Sequence, residues 1–290
     1  MSEERKGELF AVALSFFEGL FPIWSIIAVR EIGPIHTYAS SLVFALIFFL
    51  VLSIFRKTYA ELFKREALKD LLLTSFYITL LFVLLYVGLV YTSASSMSVI
   101  LLLQIFFSYL YFNIFGGERM DAVHTWGVIF MGVGALIVLF PGEFRVNRGD
   151  LLVLIAAMIA PIANLYQKRA REKVSSETVL LFRSIFALAV LIVLARFFEK
   201  DVGIEKYKEV FLYLFLSGFF VLGLAKIFWI EALHRISITK LSAMASMIPL
   251  FTLVFSYFIL DEIPTPFQLF GAFLIIVGSV FITRQSSLSE

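Results

Sequence analysis

Ten long apolar runs constrain this chain more than any other feature of its sequence. Each is near the roughly 20 residues that a helix needs to cross about 30 Å of hydrocarbon. The runs lack the strict alternation of membrane β-strands, and helices satisfy their own backbone hydrogen bonds in lipid. We therefore predict an all-α membrane protein with ten transmembrane helices. The predicted spans cover approximately residues 9–29, 37–55, 71–91, 96–115, 122–141, 150–167, 178–195, 209–230, 240–260 and 267–284.

The composition supports a membrane protein. Hydrophobic residues make up 61% of the chain and charged residues 16%, whereas soluble proteins are about one quarter charged. So much apolar surface cannot be buried in one globular core. The apolar run after Met1–Glu8 is too long for the core of a signal peptide and shows no obvious cleavage site. We expect it to remain as the first span.

Lys and Arg residues in the connections predict the orientation. With the N-terminus in the cytoplasm, fifteen of these residues fall in inner segments and seven in outer ones. The inner set is Arg5, Lys6, Arg56, Lys57, Lys64, Arg65, Lys69, Arg119, Lys168, Arg169, Arg171, Lys173, Arg235, Lys240 and Arg284. The outer set is Arg30, Arg145, Arg148, Arg196, Lys200, Lys206 and Lys208. We predict a multi-pass protein of the cell membrane with both termini in the cytoplasm.

A weak internal repeat relates the two halves of the chain. Residues 88–138 align without a gap with residues 232–282, at an offset of 144. The identical pairs are Leu89/Leu233, Ser93/Ser237, Ser98/Ser242, Phe107/Phe251, Glu118/Glu262, Gly127/Gly271, Val133/Val277 and Gly134/Gly278. We interpret residues 1–144 and 145–290 as two copies of one five-helix unit. Because five is odd, the second copy must be inverted in the membrane, which predicts a solute site between the copies near mid-membrane.

Motifs recur in both halves in a specific order. The first half has Tyr91-Thr92-Ser93-Ala94-Ser95, Gly117-Glu118-Arg119, Gly127 and Gly134. The second has Ala232-Leu233, Ser237, Pro249-Leu250-Phe251, Asp261-Glu262, Gly271 and Gly278. In this order, and over essentially the whole chain, the sequence resembles the ten-span EamA-type branch of the drug/metabolite transporter superfamily. The resemblance implies secondary transport of small organic metabolites, often export, through a cavity between the halves.

Two positions depart from the family pattern. Where the family often has proline in the middle of the fourth span, this chain has Gln104-Ile105. The family often has arginine near the start of the second span of each half. The second half keeps it as Arg183, but the first half has Tyr38-Ala39-Ser40-Ser41. These departures leave the implied fold intact.

Glu18 is the strongest candidate for a functional side chain. It is near the middle of the first span, where a charge costs at least about 2.5–3.5 kcal/mol unless it is paired, protonated or hydrated. Such a carboxylate can exchange a proton for substrate or pair with an amine. It resembles the coupling glutamate of the small multidrug resistance family. The alternative is a structural ion pair with Lys226 or Arg183 that never contacts substrate.

Three other polar residues lie inside predicted spans. The amide of Gln104 can bind a carboxylate, an amide or a sugar, or it can form an interhelical hydrogen bond. Arg183 matches the family's arginine, for which the resemblance implies a mainly structural role. Lys226 can extend to the cytoplasmic surface.

Prolines predict kinks in three spans. Pro22, Pro161 and Pro249 each free a backbone carbonyl, and Asn164 follows Pro161 closely enough to complement that group or to bind a substrate. Kinked helices that line a cavity can bend during a transport cycle. Static curvature is the alternative.

Aromatic residues make up 17% of the chain. The candidates for a cavity wall, where they could stack on a ring or enclose a quaternary amine, are Trp24, Tyr77, Tyr86, Tyr109 and Trp229. For any one of them, contact with lipid or with a neighbouring helix is the more common alternative.

The sequence lacks the patterns that would indicate a cofactor. It has no cysteine and no Walker motif, and its three histidines do not have metal-ligand spacing. We expect no cofactor, no metal and no nucleic-acid partner. The expected partners are a small-molecule substrate, protons as candidate coupling ions, and membrane lipid. We expect a monomer, with a dimer as the alternative.

The sequence favours a secondary active transporter and not an enzyme, because no His/Asp/Glu cluster lies at a predicted interface. We predict export of small metabolites such as amino acids by alternating access, with Glu18 as a proton-coupling group. The predicted substrate-binding residues are Glu18, Trp24, Tyr77, Tyr86, Gln104, Asn164, Arg183 and Trp229. The alternatives are uptake or exchange of a choline-like cationic amine, and a non-transporting membrane scaffold or receptor.

Overall fold

Helices form the whole regular structure of the part of the chain that the computed structural model describes. That part comprises residues 2–111, 122–139, 147–236, 241 and 244–282. The helices are α1 Glu3–Ile32, α2 Pro34–Arg56, α3 Arg65–Gly88, α4 Ala94–Leu101, α5 Gln104–Tyr109, α6 Ala122–Leu139, α7 Arg148–Arg171, α8 Ser176–Phe198, α9 Ile204–Leu216, α10 Ala225–Arg235, α11 Ile248–Leu260 and α12 Pro266–Ile282.

These helices account for the ten predicted spans. Six helical segments are long and apolar enough to cross a membrane by themselves, and four shorter apolar ones cover the fourth, fifth, ninth and tenth spans. A 3-10 turn, Tyr59–Phe63, lies between α2 and α3. The all-α, multi-span architecture agrees with the prediction.

Side-chain caps decide where several helices begin. The Ser2 hydroxyl accepts a hydrogen bond from the Arg5 amide at 3.3 Å, and the Asn147 side chain accepts one from the Gly149 amide at 2.8 Å. Such caps satisfy amides that the first turn of a helix leaves free. Because of the Ser2 cap, α1 begins at Glu3 and not near residue 9, where its apolar run starts.

Equivalent helices of the two halves pack in opposite directions, as α6 and α12 illustrate. A Cβ atom added to Gly134 would lie 2.8 Å from the Gly271 carbonyl oxygen, and one added to Gly278 would lie 2.6 Å from that of Gly127. The two helices are therefore antiparallel. At an offset of 144 residues, Gly134 corresponds to Gly278 and Gly127 to Gly271. The two contacts are therefore equivalent, as expected for two symmetry-related copies.

The helices α2 and α8 show the same antiparallel relation. At the beginning of α2, the amides of Ile35 and His36 donate to the carboxylate of Glu199, just past the end of α8, at 2.9 and 2.8 Å. At the end of α2, Arg56 pairs with Glu177 in the first turn of α8. The halves are therefore inverted repeats. The predicted boundary between residues 144 and 145 lies outside the described residues and stays a prediction.

The fourth and ninth spans are interrupted at equivalent points. Residues 102–103 separate α4 from α5, and a turn at residues 246–247 precedes α11. The Leu103 amide donates to the Ile100 carbonyl, and the Met247 amide donates to the Met244 carbonyl, both at 3.0 Å. These bonds span three residues, whereas those of an α-helix span four. The 144-residue offset relates the two turns. The backbone of both turns keeps right-handed helical angles, so each interruption is a local change to 3-10 geometry.

These interruptions correct two sequence-based expectations. The fourth span is not one continuous helix, and Gln104 is the first residue after its break. Pro249 is in the first turn of α11, where proline removes no helical hydrogen bond. It therefore does not kink a continuous ninth span.

The eighth span also departs from a regular α-helix. A π-helical segment, Ser217–Leu224, connects α9 with α10 immediately before Lys226. Within it, Gly218 lies so near the Ser41 carbonyl of α2 that a Cβ atom there would overlap it. Segments with π geometry are often found at functional sites.

The two ends of the bundle are distinct surfaces. We call the end at which α1 begins the N-terminal face. Here Glu3 accepts a hydrogen bond from Arg235 at the end of α10 at 3.1 Å, and Lys173 pairs with Asp70 at 2.5 Å. On the opposite face, Ser95 donates to Glu262 at 3.2 Å. Polar contacts between the halves therefore exist at both ends.

Candidate functional site

An ion pair joins the two halves near the middle of the bundle. The Lys226 ammonium of α10 donates a hydrogen bond to the Glu18 carboxylate of α1. Their side chains are only 20% and 17% exposed. Glu18 is the sixteenth of the thirty residues of α1, so it lies at the midpoint of that helix. The Glu18–Lys226 pair is the centre of the candidate site.

Arg183 adds a second positive charge close to this pair. Its side chain is 5% exposed and interacts electrostatically with Glu18 and with the Tyr38 hydroxyl. One guanidinium nitrogen also lies 3.5 Å from the Gln167 carbonyl oxygen. Two of the predicted site residues, Glu18 and Arg183, are thus brought together from different halves.

Four aromatic rings enclose the site on the side of the first half. Tyr38 stacks on Tyr86 with ring centroids 5.0 Å apart, and on Phe82 at 5.5 Å. Phe21 meets the edges of Phe82 and Tyr86 at 5.7 and 5.6 Å. The Lys226 ammonium lies 5.9 Å from the centre of the Phe82 ring, a distance at which a cation is attracted by the ring face. Tyr86 therefore belongs to the ring cluster that contains Phe82, and its predicted role in substrate binding stays a prediction.

Buried hydroxyl groups lie beside the aromatic rings. The Tyr86 hydroxyl is close to those of Ser25 and Ser41, and all three side chains are at most 1% exposed. None of the three oxygen atoms has a hydrogen-bond partner within the described part of the chain. The two serine hydroxyls nevertheless lie close enough to interact with that of Tyr86, and the three form a small polar group inside the aromatic cluster.

The helix that carries Glu18 packs against the break in the ninth span. Ser15 is 3.4 Å from the Met244 carbonyl, just before the break. The Gly19 carbonyl, one residue from Glu18, accepts a hydrogen bond from Thr252 at 2.9 Å. A movement at the break would therefore act directly on the helix that carries Glu18.

The other predicted aromatic residues are not part of this ring stack. Trp24 and Tyr77 are partly buried against the main core, and Trp229 contacts both the main core and a smaller cluster around α1 and α10. Tyr77 stacks on Tyr166 of α7 at 5.9 Å. None of these three rings belongs to the four-ring enclosure around Lys226.

The two predicted amide side chains are not joined to the ion pair. Gln104 is partly buried and Asn164 is exposed. Neither side chain makes a hydrogen bond to another described residue. Ser237, Ser242 and the Gly117-Glu118-Arg119 loop lie outside the described residues.

Sequence reasoning missed two side chains of this cluster, Tyr38 and Phe82, and it named Lys226 only within the alternative of a structural ion pair with Glu18. Lys226 does not extend to the N-terminal face, as its position near the end of a span suggested, but turns inward to Glu18. Nothing in the sequence distinguishes Phe82 from the many other aromatic residues of the chain. Tyr38 had one usable signal, because it stands where the resembled family often has arginine.

A separate cavity of about 260 Å³ lies near the N-terminal face. Both halves line it, with Arg56 at the end of α2 and Arg171, Glu177 and Glu231 from α7, α8 and α10. Ile227 lines it as well and directly follows Lys226, so α10 borders both the cavity and the ion pair. We call this space the inner cavity.

Comparison with known proteins agrees with this architecture. The model of the EamA-like transporter family matches the chain twice, over residues 5–140 and 147–284. The uncharacterized transporter YyaM of Bacillus subtilis is 23% identical over 202 residues, which are 67% of this chain and 66% of the relative. A probable terminal-alkyne amino-acid exporter of Streptantibioticus cattleyicolor is 25% identical over 209 residues, 70% of this chain and 69% of that protein.

A similar fold has also been solved by crystallography. That protein superimposes with a TM-score of 0.70 over 96% of both chains, at 14% identity. At this identity the likeness concerns the fold alone. The two matches to one family model cover nearly the whole chain, and the protein therefore belongs to the EamA-like transporter family, within the drug/metabolite transporter superfamily, as a multi-pass membrane transporter.

Proposed function

We propose that this protein is a secondary active transporter that exports a small organic metabolite by alternating access. The Glu18–Lys226 ion pair carries the proposal, because it joins the two inverted halves at the midpoint of α1. Charges at such depth are costly and are usually retained for function. A pair that bridges two halves can separate and re-form as the halves move against each other.

The charge of the cluster favours a substrate with a carboxylate. Glu18 is the single acid beside the two cations Lys226 and Arg183, so these three residues have a net charge of +1. A substrate carboxylate can bind the cations, and a substrate ammonium can replace Lys226 at Glu18. A zwitterionic amino acid does both. The relative from Streptantibioticus cattleyicolor is named a probable terminal-alkyne amino-acid exporter, and this name supports the choice of substrate.

Glu18 is the proposed coupling group. A proton and a substrate ammonium would compete for the same carboxylate, and either would release Lys226. Such competition allows the inward movement of protons to drive the outward movement of substrate, as acidic residues do in many transporters. The neighbouring hydroxyls of Ser25, Ser41 and Tyr86 offer hydrogen bonds to a bound substrate.

One observation favours a second candidate, a choline-like cationic amine. Lys226 already lies over the Phe82 ring at 5.9 Å, and the same ring surface could attract a quaternary amine. Arg183 and the displaced Lys226 would repel such a substrate. The cationic amine therefore ranks second to the amino acid.

We also propose that both termini lie in the cytoplasm and that one chain is the transport unit. The excess of Lys and Arg in the inner connections supports the orientation. Both members of the ion pair come from the same chain, so no second copy is required to complete the site. The inner cavity would then be on the cytoplasmic side, from which an exporter takes its substrate.

Counterflow in proteoliposomes tests the proposal. Vesicles loaded with L-leucine should take up labelled L-leucine, and Glu18→Gln should reduce the rate by at least about tenfold, because a charged hydrogen-bond partner is lost. Glu172→Gln, an exposed carboxylate at the end of α7, is the matched control and should keep the rate. Unchanged flux and pH dependence in Glu18→Gln would remove the ion pair from the mechanism. Flux of choline without leucine would favour the second candidate.

A further inference from the structure

We propose that the inner cavity is a second binding site, which holds the carboxylate and ammonium of a zwitterionic amino acid apart from the Glu18–Lys226 pair. For the class of ligand, the inference rests on the proposed function. It adds a site of its own, because the inner cavity shares no lining residue with the ion pair.

Arg171 is the group that would receive the carboxylate. It is the last residue of α7 and lines the inner cavity. Its Nε atom is buried and has no hydrogen-bond partner among the described residues. Leaving a buried donor without an acceptor is unfavourable. A ligand carboxylate in the inner cavity would form charge-assisted hydrogen bonds with the part of the guanidinium that lines it, because the guanidinium fork is well shaped for a carboxylate.

Glu231 is the group that would receive the ammonium. Its Oε2 atom accepts a hydrogen bond from Arg235, while its Oε1 atom makes none to a described residue. Arg171 interacts electrostatically with Glu231 and Glu177, so the positive and negative groups lie near one another. A short zwitterion can contact both at once.

The remaining charges of the lining are already balanced. Glu177 is 4% exposed and pairs with Arg56. The inner cavity is therefore lined by two guanidinium groups and two carboxylates. A zwitterion can use both signs of this lining.

The size and the apolar wall of the inner cavity limit the ligand further. Its volume of about 260 Å³ is slightly below the roughly 300–1,000 Å³ of drug-sized sites. Val174 and Ile227 supply apolar surface. A small amino acid with an apolar side chain, such as leucine, fits these properties.

Equilibrium binding of L-leucine to the purified full chain in detergent tests the site. Arg171→Gln should weaken one component of binding by at least about tenfold. Ser176→Leu should do the same, because it narrows the inner cavity at a residue that makes no ion pair. Lys168→Gln removes a positive charge from an exposed position on the same helix and should bind leucine as the wild type does. Thermal unfolding without ligand identifies the variants that keep the fold.

The variant Glu18→Gln separates this site from the ion pair. It should retain the component of binding that depends on Arg171, and the double variant E18Q/R171Q should lose both components. If a folded Arg171→Gln or Ser176→Leu variant binds leucine as the wild type does, or if the wild type binds none, the second site is overturned. Binding that depends on Arg171 without leucine flux in proteoliposomes would support the second site and overturn amino-acid transport.

Discussion

Lys226 of the second half donates a hydrogen bond to Glu18 of the first half, 208 residues away in the sequence. Each half of the protein thus supplies one charge of a pair that neither half can complete alone. Arg183 and the Tyr38–Tyr86 stack lie around the pair. This arrangement makes one buried contact between the halves, among several, depend on the charge of a single carboxylate.

Removing one member of the pair should destabilise the protein more than removing both. Glu18→Gln or Lys226→Met leaves an unpaired, mostly buried charge. We expect each to cost about 2–3 kcal/mol of unfolding free energy, below the 3–5 kcal/mol of fully buried pairs, since both side chains keep some exposure. The double variant should recover most of this loss because neither charge remains. Thermal unfolding in detergent measures the effect, and additive losses would contradict it.

The glycine contacts between α6 and α12 should tolerate no side chain. Gly134→Ala should destabilise by about 1–3 kcal/mol, because the new Cβ atom would meet the Gly271 carbonyl at 2.8 Å. Gly132 lies on the same helix with no atom within 4 Å of an added Cβ. Gly132→Ala should be neutral, or stabilising by up to about 1 kcal/mol, because alanine favours a helix. Equal melting temperatures for the two variants would argue against the close crossing.

The absence of cysteine from the sequence allows a direct test of orientation. Asp201 lies between α8 and α9, Ala60 lies between α2 and α3, and both residues are exposed. Each can be replaced by a single cysteine. A membrane-impermeant maleimide should label Asp201→Cys in intact cells and Ala60→Cys only after permeabilisation, because the basic connections stay in the cytoplasm. The reverse pattern would invert the proposed orientation and the proposed direction of transport.

Glu61 should make stability depend on pH at the N-terminal face. Its Oε2 atom accepts hydrogen bonds from the Ser175 amide at 2.6 Å and the Thr178 hydroxyl at 3.1 Å. Burial raises the pKa of this carboxyl, but the hydrogen bonds outweigh burial and leave its pKa below the usual value. A lowered pKa in the folded state stabilises the fold above the unfolded pKa of about 4.3. That stabilisation is lost as the pH falls through the folded pKa.

We therefore expect Glu61→Gln to lower the unfolding free energy by about 1 kcal/mol at neutral pH. The difference from the wild type should shrink below about pH 4, where Glu61 becomes protonated. Glu66→Gln, which removes an exposed carboxylate in the first turn of α3, is the control and should show neither effect. Melting temperatures between pH 3 and pH 8 provide the measurement. A difference that stays constant over this range would exclude the carboxylate as its cause.

The spans and the inverted repeat could be predicted because their signals are local or periodic. A stretch of about 20 apolar residues suffices to indicate a crossing, and Gly127, Gly134, Gly271 and Gly278 keep the register of the repeat. The breaks in the fourth and ninth spans could not be predicted. Leu102 and Leu103 are good helix formers, so no local preference indicated an interruption at that position.

The sequence by itself determined that the chain crosses the membrane repeatedly, that its halves are inverted copies, and that Glu18 is an acid in need of a partner. Each follows from the energetic demands of hydrocarbon on nearby residues. Only the tertiary structure decided that Lys226 is the partner, that Tyr86 stacks on Tyr38 in the ring cluster containing Phe82, and that Arg171 lines a second cavity. These relations depend on how helices far apart in the chain pack together, and no stretch of sequence encodes such distances on its own.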